Sequence, residues 1–163
     1  MHFGFFLASA MVVSTPAAAD IVVRFDEGAP KDSFTITNVD NCALPLTAIT
    51  IDLAGSAAGL IFDVTGSGAG VSVFQPFQLV SGADHVTALP QVKDGDRALA
   101  LKLQGLGPGQ RVAFTIDVDD TAGASETIVS GSEIKGARVL AGNASGTFGT
   151  DNTARIKMSA CTS

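Results

Sequence analysis

Three carboxylates crowd the end of one stretch of the chain. Asp117, Asp119 and Asp120 follow the run Val112-Ala113-Phe114-Thr115-Ile116, and Asp94 and Asp96 flank Gly95 in a turn. Calcium takes about six to eight oxygen ligands, often carboxylates brought in by neighbouring loops. Acidic loops gathered at one end of a fold would suit it. By period two, Asp117 and Asp119 share a strand face, while Asp120 turns away at the strand end. Asp117, Asp119 and Asp120 are therefore the candidate calcium ligands. The spacing is not that of an EF-hand: counted from Asp117, Ala122 and Ile128 stand where that loop needs Gly and Glu. The alternative reading is that these acids solvate turns and a wet strand face, as Asp often does through its short side chain.

Other site chemistries find few residues to use. Beyond the amino-terminal segment His85 is the only histidine, and Asp84 is its sequence neighbour. Neighbours on an extended chain point to opposite faces, so the two do not form the base and orienter of a triad. No Gly-x-Ser-x-Gly elbow occurs. The glycine-rich stretch Gly66-Ser67-Gly68-Ala69-Gly70 lacks the Lys and Ser/Thr of a phosphate loop. No catalytic residues are assigned, and the chain is expected not to be an enzyme. No cofactor is expected beyond the calcium.

Cys42 and Cys161 are the only thiols. Their fate depends on the compartment. Residues 3–13 are an apolar run, Pro16 breaks it, and Ala17-Ala18-Ala19 precede Asp20. This is the pattern of a cleavable secretory signal over residues 1–19, with cleavage before Asp20. The run is shorter than the about 20 apolar residues that span a bilayer. Residues 20–163 then form one domain in a secreted protein, periplasmic or extracellular, without a transmembrane segment. In such a compartment two cysteines pair by default, so a Cys42–Cys161 disulfide is expected.

The net charge is −6 and the ten basic residues are scattered. Nucleic acid needs a basic stripe, so it is excluded as a partner. Trp and Tyr are absent. Those residues build sugar platforms and protein hot spots, which weighs against a carbohydrate-binding module.

The elements that must position these residues are strands. Phe34 and Ile36 alternate with Thr35 and Thr37; Ile49, Ile51 and Leu53 with Thr50 and Asp52; Leu99, Leu101 and Leu103 with Ala100 and Lys102; Val112, Phe114, Ile116 and Val118 with Ala113, Thr115 and Asp117. Such runs bury one face and wet the other. Shorter candidates lie at residues 21–25, 60–64, 71–74, 127–129, 138–141 and 155–158. Turn residues separate them, as in Glu27-Gly28-Ala29-Pro30, Lys93-Asp94-Gly95-Asp96 and Gly107-Pro108-Gly109. No window sustains a helical period. The expected fold is all-β, an antiparallel two-sheet sandwich, immunoglobulin-like or jelly-roll-like.

Several stretches resemble a group of exported bacterial proteins labelled after the aggregation factor core of sponges. They include Glu27-Gly28-Ala29-Pro30-Lys31-Asp32 running into Phe34-Thr35-Ile36-Thr37-Asn38, Gly55-Ser56-Ala57-Ala58-Gly59-Leu60-Ile61-Phe62-Asp63, Val73-Phe74-Gln75-Pro76-Phe77, and Ser130-Gly131-Ser132-Glu133-Ile134. The resemblance implies an adhesion or matrix-interaction module that meets a protein or polysaccharide surface, with calcium. The alternatives are a periplasmic accessory domain that recruits a protein by an edge strand, and a sugar binder that works through calcium.

Overall fold

The structure is a computed structural model, and it describes residues 19–67, 74–121 and 129–158. Among the described residues twelve strands carry the fold. They are β1 (Ala19–Asp26), β2 (Asp32–Asn38), β3 (Thr47–Asp52), β4 (Ile61–Phe62), β5 (Gln78–Ser81) and β6 (Val86–Ala88). The series continues with β7 (Ala98–Leu103), β8 (Arg111–Ile116), β9 (Val118–Asp119), β10 (Arg138–Ala141), β11 (Ala144–Thr147) and β12 (Thr153–Met158). One short helix, α1 (Gly131–Ile134), precedes β10, and a 3-10 turn (Ala83–His85) joins β5 to β6.

Two five-stranded antiparallel sheets pack face to face, with strand orders β12-β1-β2-β8-β5 and β11-β10-β3-β7-β6. A third pairing, β4 with β9, has two strands only. The expected all-β sandwich is therefore the fold. Consecutive strands cross repeatedly between the sheets, at β2 to β3, β5 to β6, β7 to β8 and β11 to β12, in a jelly-roll-like manner.

The alternation in sequence becomes the alternation in burial. Strand β2 is buried at every second residue from Asp32 to Asn38, and β7 buries Leu99, Leu101 and Leu103 while Ala98, Ala100 and Lys102 face out. Phe34 is the hub of the core. Its ring lies 5.1 Å from Phe25, 5.3 Å from Phe114 and 6.4 Å from Phe148. These are distances at which offset and edge-on rings attract. Phe34 and Phe114 are also direct cross-strand partners.

Both flanks of the sandwich are closed. On one side β11 lies so near β12 that a Cβ at Gly146 would collide with the Arg155 carbonyl. On the other side the chain passes from β5 to β6 through Gly82, at φ +80°, where a Cβ would meet the Arg111 carbonyl at 2.6 Å. Only glycine suits that backbone and that space.

One end of the sandwich is plugged by a buried amide. Asn38 is fully buried, and its Nδ2 donates to the carbonyls of Cys42 at 2.7 Å and Leu106 at 2.8 Å. Its Oδ1 accepts the Asp40 N–H at 3.1 Å. Asn38→Ala would strand these groups, and a cost of about 2–3 kcal/mol is expected in urea denaturation.

Residues 1–18 of the expected leader, 1–19, and Cys161 of the expected disulfide lie outside the described residues, while Ala19 opens β1. The topology bears on that bridge all the same. Ile21 pairs with both Asn38 and Ile156, and Met158 pairs with Ala19. Met158, three positions before Cys161, is thus at the same sheet end as Asn38, four positions before Cys42. An intact mass two hydrogens below the reduced value is the expected result for the exported protein, and two titratable thiols would exclude the bridge.

Candidate functional site

The opposite end of the sandwich is acidic and buried. It arises where β8 stops alternating. After Ile116 the chain changes partner, and Val118 and Asp119 pair with β4 instead of extending the first sheet. Ile116, Asp117, Val118 and Asp119 are consequently all buried. The expected wet face does not form: Asp117 is 8 % exposed and Asp119 5 %.

Two further acids join them from elsewhere in the chain. Asp32, at the start of β2, is 1 % exposed, and Asp63, just after β4, is 0 % exposed. Backbone bonds hold these segments together. The Asp63 N–H donates to the Asp117 carbonyl at 3.1 Å, and the Asp117 N–H donates to the Gln75 carbonyl at 3.1 Å. The 93–96 turn closes the group. Phe62 N–H donates to the Asp96 carbonyl at 2.8 Å, and Gly95 N–H donates to the Phe62 carbonyl at 2.9 Å. Asp94 Oδ1 then accepts the Val64 and Thr65 N–H groups, each at 3.0 Å.

The acids differ in how they are satisfied. Asp32 is well served: Oδ1 accepts Gly28 N–H and Oδ2 accepts Val118 N–H, both at 3.0 Å. Asp119 Oδ1 accepts Asp120 N–H at 2.9 Å. Asp63 is the exception. Both its carboxylate oxygens are buried without a hydrogen-bond partner. A buried charge in that state is costly and calls for a proton or a cation.

Electrostatics reflect the crowding. Burial pushes Asp63 up from 3.8 to about 7, and the neighbouring carboxylates of Asp94 and Asp119 add to the rise. Burial also raises Asp117 to about 7, with Asp32, Asp63 and Asp119 contributing repulsion. For Asp32, burial outweighs the two backbone N–H groups and the value again reaches about 7, helped by Glu27 and Asp119. No basic side chain neutralises these three. The ion pairs among the described residues are Arg24–Asp26 and Arg155–Asp20, both on the first sheet. Arg111 opens β8 opposite Thr37, at the far end of that strand from Asp117.

Of the candidate calcium ligands, Asp117 and Asp119 thus stand together in this cluster, and Asp120 follows them at the end of β9. The sequence set the Asp94–Asp96 turn beside them as an acidic loop that could supply ligands, but gave no sign of Asp32 or Asp63. Among the described residues no three acidic, histidine or cysteine side chains already surround one point as metal ligands. His85 lies in the 3-10 turn between β5 and β6, away from the acidic end.

The molecule has a second distinctive surface, the outer face of the second sheet. Strand register sets its rows: Thr147, Arg138, Asp52 and Ala98; then Ser145, Leu140, Thr50 and Ala100; then Ala48, Lys102 and Ala88. Small and apolar side chains fill its middle. Leu46, 74 % exposed, flanks a shallow groove with Ala48, Thr87 and Lys102. The first sheet differs, with Arg24, Thr35, Thr37, Arg111, Arg155 and Lys157 on its outer face.

No known protein family, no characterised protein and no solved structure matches the chain. Among the described residues no helix is long and apolar enough to cross a membrane.

The raised carboxyl values fix the sign of a pH effect. Asp32, Asp63 and Asp117 hold protons in the folded state up to about pH 7, whereas in the unfolded chain they release them near 3.8. The stabilising contribution is complete below 3.8 and is lost as pH rises towards 7. In metal-free buffer the urea midpoint should fall between pH 5 and pH 8, and Asp63→Asn should flatten that slope. A midpoint that rises over this interval would contradict the assignment.

Proposed function

We propose that the protein is an exported, non-enzymatic module for adhesion or matrix interaction, and that it meets a protein partner on the outer face of its second sheet. The observation that carries this reading is the shelf formed by Ala48, Thr50, Ala98, Ala100 and Leu140. A surface of mostly short side chains lets a partner approach closely and immobilises few rotamers on binding. The resemblance to aggregation factor core proteins supports the adhesive role, and the signal-like amino terminus supports export to the periplasm or beyond.

The same geometry weighs against recruitment by an edge strand. Edge strand β5 has four residues and β6 three, and the register of each slips through a bulge. Short, kinked edges resist strand addition. A polysaccharide partner is the weaker alternative because no Trp or Tyr is present to stack on a sugar.

The test is retention of the labelled protein on producing cells and their matrix. Ala100→Glu places a charge mid-shelf and should weaken binding by about tenfold or more, the effect of ~1.4 kcal/mol. Thr35→Glu, on the first sheet, should leave binding unchanged. Loss with Thr35→Glu and none with Ala100→Glu would move the contact to the other face.

A further inference from the structure

We propose that Asp63 and Asp94 form a proton latch. One proton held between their carboxyl groups fastens the 93–96 turn to β4, and its loss to solvent loosens the entry of β7 and weakens the hold of the shelf on its partner. The inference rests on the shelf reading above and adds the condition under which that face is engaged.

The geometry assigns donor and acceptor. Asp63 is 0 % exposed, and no fixed donor serves its oxygens. The group that meets it is a second acid, Asp94, in a side-chain hydrogen bond. Two ionised carboxylates only repel, so that bond exists when one of them carries a proton. Asp94 Oδ1 already accepts the Val64 and Thr65 N–H groups, each at 3.0 Å. Asp94 is therefore the acceptor of the pair, and the proton sits on Asp63.

The charges around the pair leave that proton without a substitute. The turn brings Lys93, Asp96 and Arg97; β9 and its flanks bring Asp117, Asp119 and Asp120; the start of β2 brings Asp32, with Glu27 beside it. Glu133 of α1 is turned to Ser130, and Lys135 after it is exposed. Lys93 and Arg97 are exposed too, and Asp63 forms an ion pair with neither. Burial, with Asp94 and Asp119, moves proton release from Asp63 up to about 7. The latch is thus closed in mild acid and open in mild base.

The turn transmits the opening. Asp63 is buried and its N–H is tied to the Asp117 carbonyl at 3.1 Å, whereas Asp94, Gly95 and Asp96 are half-buried. The turn is the part that yields when both acids are charged. If Asp94 swings out, Val64 and Thr65 lose their acceptor, and the bonds of Phe62 to Gly95 and Asp96 are pulled. Next along, the Arg97 carbonyl accepts the Leu53 N–H at 2.7 Å. Ala98 adjoins Arg97 and Asp52 adjoins Leu53, and those two pair in the first row of the shelf.

The experiment compares the exported protein with its Asp63→Asn variant at pH 5 and pH 8, by amide hydrogen exchange and by retention on producing cells and their matrix. Exchange at Val64, Thr65 and Gly95, relative to the unstructured chain, should be about tenfold faster at pH 8 in the wild type, the response of one proton over one pH unit beyond its release. Retention should fall by a similar factor. The amide of Asp63→Asn can donate to Asp94 at either pH, so both readouts should keep their pH 5 values. His85→Gln, which removes the only histidine among the described residues, should respond as the wild type does. Should Asp63→Asn fail to fold, Asp94→Asn removes one charge of the same pair, and its amide oxygen can still accept the Val64 and Thr65 N–H groups. Wild-type exchange that is equal at the two pH values would overturn the latch. So would a pH response that survives both aspartate substitutions or vanishes with His85→Gln. If Ala100→Glu is retained as well as the wild type, the shelf reading fails and takes the role of the latch there with it. If Ala100→Glu is released while wild-type retention ignores pH, the shelf stands and the latch alone falls.

Discussion

The Asp32 carboxylate ties the β1–β2 turn to the start of β9, just beyond the β2–β8 ladder. It accepts one N–H from Gly28, in the β1–β2 turn, and one from Val118, 86 positions further on. Both bonds are made out of contact with solvent, where a hydrogen bond is stronger than in water and a missing one costs more. Val118 is the residue at which β8 gives way to β9. By gripping its N–H, Asp32 fixes the point where the strand leaves the first sheet. Asp117 and Asp119 are buried because the chain turns there. The acidic end therefore depends on Asp32, whether or not Asp32 touches anything bound within it.

The rest of the core makes that arrangement affordable. Phe34, two residues along β2 from Asp32, contacts Phe25, Phe114 and Phe148. Every inward position of β1, β2, β3, β7 and β8 beyond the two polar ends is apolar. Burial of such side chains contributes on the order of 1.5–3 kcal/mol each. Against that background one end can hold several acids whose mutual repulsion opposes folding. Local conflict within an otherwise consistent fold is where binding sites tend to be built. Asn38 at the opposite end is the contrast: it is as buried as Asp63, but all its polar atoms are engaged.

The long strands were legible because each buries one face over five or more residues, as at Phe34 and Ile36 or at Leu99, Leu101 and Leu103. Strands β5, β6 and β11 were not, since they are short, exposed or bulged and carry little periodicity. Helix α1 is only four residues long, yet it had a local signal. Ser130 and Glu133 form a capping box, with Glu133 Oε2 accepting the Ser130 N–H at 2.6 Å. The acidic site was half legible. Spacing brought Asp117 and Asp119 together, but placed them in water, because period two was continued past the residue where β8 ends. Asp32, Asp63 and Asp94 each look like turn or strand-end acids in sequence. Only the crossing of strands between the sheets brings them to one place.

The two surfaces are not mechanically separate. Asp94 lies four positions before Ala98, the first residue of β7 and part of the shelf. The segment between them is tied at both ends. Gly95 and Asp96 pair with Phe62 of β4, and the Arg97 carbonyl accepts the Leu53 N–H at 2.7 Å, just past the end of β3. Whatever orders the acidic junction also orders the entry of β7 and the end of β3, which carry Ala98 and Asp52 in the first row of the shelf. The protonation of Asp63 acts on a carboxylate beside Val64 and Asp94, so its influence reaches the outer face of the second sheet through five residues of restrained backbone. A rigid shelf loses less freedom when a partner docks. The same short turn thus borders both the buried acids and the outer face of the second sheet.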